Sequence, residues 1–166
     1  MRAVSIILWV LISYQLSSQS LELKMGDPAP EISLETPEGH QISLSDLRGK
    51  LVLIDFWATW CAPCVKEQPL LKEIYEAYGQ GNENFEILGV SLDRKKENWT
   101  KGIDRLEIDW LQVSDLKFWM SPVAEDYKIR ELPFNVLVDE QGKIVAINLH
   151  DIELKDFIRN YLEPSR

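Results

Sequence analysis

Cys61 and Cys64 are the only cysteines in this chain of 166 residues, and they lie in the stretch DFWATWCAPCVKEQP, residues 55 to 69. Two thiols at i and i+3 at the start of a helix suit thiol–disulfide exchange. One must attack as a thiolate and the other must lie close enough to release the mixed disulfide. Unpaired N–H groups and the helix dipole favour a thiolate at the first position, which makes Cys61 the expected nucleophile. Cys64, one turn inside and less exposed, is the expected resolving thiol. Pro63 fits the first turn because that turn needs no amide hydrogen there.

Other uses of the pair fit less well. As a structural staple, a disulfide closing about four residues stabilises by roughly 2 kcal/mol, against roughly 4.7 for a 100-residue loop. A closed zinc site wants four ligands, and the two histidines, His40 and His150, are isolated in sequence. A copper-handling thiol chaperone would use soft thiolates but would need a third ligand near the pair. A peroxidase of the Pro-x-x-x-Thr-x-x-Cys type would need Pro and Thr where Ile54 and Ala58 stand. These last two stay open as alternative functions.

Two carboxylates are candidates for the proton half of the chemistry. Asp55 lies within the apolar run LVLIDFW, on one strand face with Leu53 and Trp57, so its pKa should be raised and it could take the proton of Cys64. Glu67 is i+3 from Cys64 and shares its helix face.

The elements that position these residues follow from periodicity. LVLIDFW (51–57) and NFEILGVSLD (84–93) read as strands buried on both faces. Between them Val65, Leu71, Ile74, Tyr75 and Tyr78 form a helical stripe that ends at Gly79 and Gly81, with Pro69 inside it as a bend. A helix is predicted to begin near Asp93 to Lys96, and a short one at SPVAEDYKI with Ser121 as cap. PFNVLVDEQGKIVAINL reads as two strands about a turn, and a closing helix is capped by Asp151. EISL and QISL flank the turn ETPEGH as an N-terminal hairpin. The expected class is α/β, a mixed sheet with helices on its faces.

The first twenty residues stand apart. Arg2 is their only charge, and an apolar block of 11 residues, Val4 to Tyr14, precedes QLSSQS. That reads as a secretory signal cut after Ser20, leaving residues 21–166 as one domain. A retained anchor is the alternative, though the block is short of the roughly 20 residues a span needs. No cysteine lies near the cut, which excludes a lipid-modified cysteine. The whole chain carries a net charge of −9, so neither a nucleic-acid nor a phosphate-binding surface is expected.

DFWATWCAPC resembles the thioredoxin signature. The wider pattern, GDPAPEISLETPEGHQISLSDLRGK, FWATWCAPCVKEQP, GVSLD and a late Leu-Pro before LVDEQGKIV, is similar to the extracytoplasmic TlpA/ResA-like thiol–disulfide oxidoreductases over about residues 25 to 163. The resemblance implies a thioredoxin-like fold with an N-terminal β-hairpin extension and a central helical insertion. It makes Cys61 the attacking and Cys64 the resolving cysteine, and Glu67 the active-site glutamate of the group. Asp55 matches the buried aspartate of thioredoxin, where this group more often has Asn. Pro69 matches the helix-kinking proline and Pro133 the cis-proline facing the cysteines. Trp60, Pro63, Leu132 and Pro133 are the expected substrate-contacting residues, with the Leu132 backbone pairing with an extended target. Phe134 follows Pro133 where a small residue is more usual, and Ala62 replaces residues that tune the potential. The implied activity is reduction of protein disulfides outside the cytoplasm, by a monomer without a bound cofactor or metal. A membrane thiol carrier would supply electrons, and oxidised exported proteins or apocytochrome c would be targets.

Overall fold

The computed structural model describes residues 22–163; the expected signal segment, residues 1–20, lies outside them. A five-stranded sheet carries the fold, in the order β5-β4-β3-β6-β7. Its centre is β3 (Leu51–Trp57), with all seven residues buried, as a continuous apolar run demands. β4 (Phe85–Ser91) runs parallel to β3, joined to it through helix α1 (Ala62–Tyr78). β6 (Phe134–Val138) and β7 (Ile144–Ile147) form a hairpin that pairs antiparallel to the other side of β3. The sheet is thus mixed, as the sequence predicts.

β5 (Leu111–Val113), parallel to β4 at the sheet edge, is a strand the sequence does not predict. Three residues are too few to show an alternating period. It is reached through α2 (Lys96–Leu106), followed by α3 (Pro122–Asp126). α4 (Asp151–Leu162) closes the domain and packs on α1. Ser121 occupies the N-cap position of α3 as predicted, though without a side-chain capping bond, whereas His150, not Asp151, occupies that position in α4.

α1 buries Cys64, Gln68, Leu71 and Ile74, a stripe one position off the predicted one at its N-terminal end, where Val65 is half-buried. At the C-cap of α1 the Tyr75 ring leaves room only for glycine: a Cβ on Gly79 would stand 2.3 Å from the ring. On the opposite sheet face Phe56, Tyr127 and Phe134 pack ring on ring, with centroids 5.0 and 6.1 Å apart.

The N-terminal segment runs beside both sheet edges. Gly26 N donates to Ile144 O (2.7 Å), Ile144 N to Asp27 O (2.9 Å) and Ala29 N to Gly142 O (3.0 Å), along β7. The chain then enters the hairpin of β1 (Ser33–Glu35) and β2 (Gln41–Ser43). From there Glu35 forms a bridge with Ser114, just beyond β5. The Tyr127 hydroxyl donates to Pro30 O at 2.7 Å, fastening this segment to the end of α3.

Candidate active site

The redox pair sits where β3 hands over to α1. Cys61 and Cys64 are joined by a disulfide. Cys61 is the N-cap of α1, and the Cys64 amide donates to its Sγ at 3.2 Å. A sulfur placed there meets the unpaired N–H groups of the first turn, the environment that stabilises a thiolate. Pro63 lies in that first turn, exposed. Exposure differs less than the sequence suggests. In the disulfide form Cys61 is 5% and Cys64 1% exposed.

The approach to Cys61 is held from behind. The Asp93 carboxylate, 1% exposed, accepts from Thr59 N (3.0 Å), Thr59 Oγ1 (2.6 Å) and Ser91 Oγ (2.8 Å). Helix α2 packs closely here: a Cβ on Gly102 would stand 2.4 Å from Thr59 Cγ2. Asp93 closes the GVSLD stretch of the sequence, but nothing there assigns it this role, and Gly102 carries no pattern. Only the contact between separate elements gives them this role.

A polar row crosses the otherwise apolar sheet one residue pair below. Gln112 in β5, Gly89 in β4, Asp55 in β3 and Asn135 in β6 are register partners. Gly89 is required by close approach, since a Cβ would meet the Gln112 amide at 2.1 Å. That amide accepts from Trp57 Nε1 at 2.9 Å. Asp55 is 3% exposed. Burial, and secondarily the negative charge of Glu67, push its pKa up from 3.8 to about 7, while Gln68 opposes the rise. A carboxyl titrating there can exchange protons near neutral pH.

Gln68, which the sequence does not mark out either, links Asp55 to Cys64. Its Nε2 lies 3.4 Å from Asp55 Oδ2 and 3.5 Å from Cys64 O, and its Oε1 is buried without a partner. An amide can donate to the carboxylate and, turned over, accept from the acid. Gln68 therefore suits both protonation states of Asp55.

Glu67 is brought to His150, which the sequence leaves isolated. Glu67 Oε1 lies 2.8 Å from His150 Nδ1, and His150 Nε2 lies 3.0 Å from Asn148 Oδ1. The turn carrying His150 is fixed by Asn135, whose amide donates to Leu149 O (2.6 Å) and accepts from Leu149 N (3.1 Å).

On the outer side, Trp60 is 48% exposed and meets Phe118 edge-on, centroids 5.1 Å apart, with Trp119 at 6.2 Å. Arg94 stands over the Phe118 ring at 4.2 Å. The Leu132–Pro133 peptide is cis and leads into β6. Among the described residues no cluster of three or more His, Cys, Asp or Glu side chains could hold a metal ion.

The AhpC/TSA family matches the chain over residues 25–147. The chain is 32% identical over 146 residues to the thiol-disulfide oxidoreductase ResA of Geobacillus thermodenitrificans, covering 88% of this chain and 80% of that protein. It is 33% identical to a ResA of Bacillus cereus over 150 residues, 86% of this chain and 79% of that one. Among solved structures it is similar to the thioredoxin domain of a thiol-disulfide oxidoreductase from Bacteroides vulgatus. That pair shares 38% identity and a TM-score of 0.79, over 86% of this chain and all of the other. A thiol:disulfide interchange protein from Bacteroides sp. gives 38% identity and a TM-score of 0.79, over 87% and 93%.

Proposed function

We propose, from the premise that the chain belongs to the AhpC/TSA family and is a thiol-disulfide oxidoreductase with a thioredoxin-like fold, that it reduces protein disulfides outside the cytoplasm. The Cys61 thiolate attacks one sulfur of the target disulfide, forming a mixed disulfide and releasing the other target sulfur as a thiolate. Cys64 gives its proton to Asp55 and attacks Cys61 Sγ. That closes the Cys61–Cys64 bond and releases the second target thiolate. Two electrons pass from the enzyme dithiol to the target, and a membrane thiol carrier returns them.

The observation that carries the reading is the asymmetry of the pair. Cys61 caps α1 and accepts from the Cys64 amide, while the Cys64 carbonyl lies 3.5 Å from Gln68 Nε2, which also reaches Asp55. Glu67 is assigned to the same proton-handling end. Trp60, Pro63 and the Leu132–Pro133 segment form the rim on which an extended target would lie, with Trp60, Phe118 and Trp119 as an apolar platform. The N-terminal block at Val4 to Tyr14 supports export with cleavage after Ser20, and no helix among the described residues is long and apolar enough to cross a membrane. Oxidised exported proteins, apocytochrome c included, are the targets this reading favours, and the working unit is a monomer.

The deciding experiment is the potential of the Cys61–Cys64 couple. A reductant should lie near thioredoxin, about −270 mV; a value near −120 mV would make the protein an oxidant. Trp60→Ala should raise KM for a disulfide-bonded protein and leave reaction with oxidised glutathione little changed. Equal loss with both would remove Trp60 from target binding.

A further inference from the structure

The aromatic platform beside Cys61 is capped by a cation. Trp60 precedes Cys61, Phe118 meets Trp60 edge-on, and Arg94 Cζ stands 4.2 Å from the centre of the Phe118 ring. Trp119 and the exposed Met120 extend the apolar surface. Two features show that this surface is built. Residues 116–120 are fastened to the end of β4: Ser114 Oγ accepts from Leu116 N at 3.0 Å and donates to Ser91 O at 2.7 Å. Leu116 (φ 57°) and Phe118 (φ 60°) both hold left-handed backbone. That conformation is strained for bulky side chains, and such strain gathers at functional sites.

The charges here run against those of the whole chain, whose net charge is −9. Arg94, its neighbour Lys95, and Lys117 before Phe118 are exposed. None of the three forms an ion pair among the described residues. The carboxylates of the same segments are committed. Asp93 accepts from Thr59 and Ser91. Asp115 binds the Lys117 amide with Oδ1 and buries Oδ2. Glu97 pairs with Lys101. A guanidinium laid on a ring keeps N–H donors at its edge, and their fork matches a planar carboxylate.

We propose that Arg94 is a specificity-determining residue of the redox site: the oxidised polypeptide segment that lies on this platform carries an apolar or aromatic side chain beside the attacked cysteine and, a few residues on, a carboxylate that Arg94 binds. This rests on the disulfide-reducing activity given to Cys61 above and names the class of its client. An extended chain advances roughly 3.3 Å per residue, so a carboxylate about three residues from the cysteine spans the Trp60 and Phe118 rings to reach Arg94. Aromatic and basic side chains together also suit an anionic lipid surface. The polypeptide is favoured because the platform is continuous with the redox pair through Trp60, and a membrane laid on it would cover the disulfide.

The test is the second-order rate of thiol release by the reduced full-length protein from disulfide-linked synthetic peptides. The peptides share a tryptophan beside the cysteine and differ only at the third residue from it, which is Glu, Gln or Lys. Wild type should favour the Glu peptide over the Gln peptide about fivefold, and over the Lys peptide by more. Added salt should shrink the preference. Arg94→Gln should abolish the preference for Glu over Gln, and Arg94→Glu should invert that for Glu over Lys. Equal wild-type rates with the three peptides, or a Glu preference kept in Arg94→Gln, would overturn the proposal. Equal peptide rates, with phosphatidylglycerol vesicles retaining wild type but not Arg94→Glu, would assign the patch to a lipid surface instead. Hydroxyethyl disulfide, uncharged and too small to reach Arg94, separates this proposal from the activity beneath it. If wild type reduces neither it nor any peptide, the reductase reading fails. If wild type reduces it while the peptides react alike, that reading stands and only the role of Arg94 is lost.

Discussion

Asp55 and Asn135 face each other across the antiparallel register of β3 and β6, and Asn135 commits both ends of its amide to Leu149 in the turn before α4. The residue opposite the buried acid thus builds the turn that carries His150.

Asn135→Ala should therefore be costly. It strips the backbone N–H and C=O of Leu149 of their partners near a buried strand, at about 1–3 kcal/mol for each group left unsatisfied. Urea unfolding should show a loss of about 2–4 kcal/mol. A loss within about 0.5 kcal/mol, the range of an ordinary surface substitution, would mean that the turn holds without Asn135.

Asp55→Asn has a pH signature. The Asp55 carboxyl titrates at about 7 in the fold against an ordinary 3.8. Its protonated form is favoured by folding, so its stabilising effect is complete below the unfolded value and is lost as pH rises through about 7. The difference of about three pKa units is worth, at most, roughly 4 kcal/mol. Urea unfolding should show Asp55→Asn gaining stability over wild type at pH 8, and no gain at pH 4. The same variant should resolve mixed disulfides more slowly. Equal stability differences at both pH values would contradict a raised Asp55 pKa.

Reduction of the disulfide should leave the domain folded. Closing about four residues is worth only about 2 kcal/mol in chain entropy, and the core of β3, β4 and β6 does not depend on it. Circular dichroism in excess dithiothreitol should keep its native form with a modestly lowered midpoint; collapse of the signal would assign the bond a structural role.

Asp93→Ala removes the acceptor of Thr59 N, Thr59 Oγ1 and Ser91 Oγ together. The expected cost is about 2–3 kcal/mol. Hydrogen exchange at the Thr59 amide should quicken by roughly tenfold or more, since about 1.4 kcal/mol separates each decade. Unchanged exchange there would show that the loop before Cys61 is held by α2 packing alone.

Much of this is legible in the chain. Cys61 and Cys64 announce themselves by spacing, and β3 by an unbroken apolar run around one acid. The long helices follow from their stripes. What stays hidden needs tertiary contact. Gln68 and His150 look like ordinary helix and loop polar residues until folding brings one beside Asp55 and the other beside Glu67. Gly89 and Gly102 carry no pattern of their own, because their meaning is the absence of a Cβ against a neighbouring element. β5 is too short for periodicity, and it exists because β4 offers a free edge to Leu111–Val113.

The N-terminal segment that runs along β7 and then meets the end of β5 has a consequence for an enzyme that meets other polypeptides. An open sheet edge is a template for any extended polypeptide. Here one edge is occupied along Gly26 to Ala29, while the other is short and bridged at Glu35–Ser114. A client strand is thereby denied a place to add itself away from the cysteines.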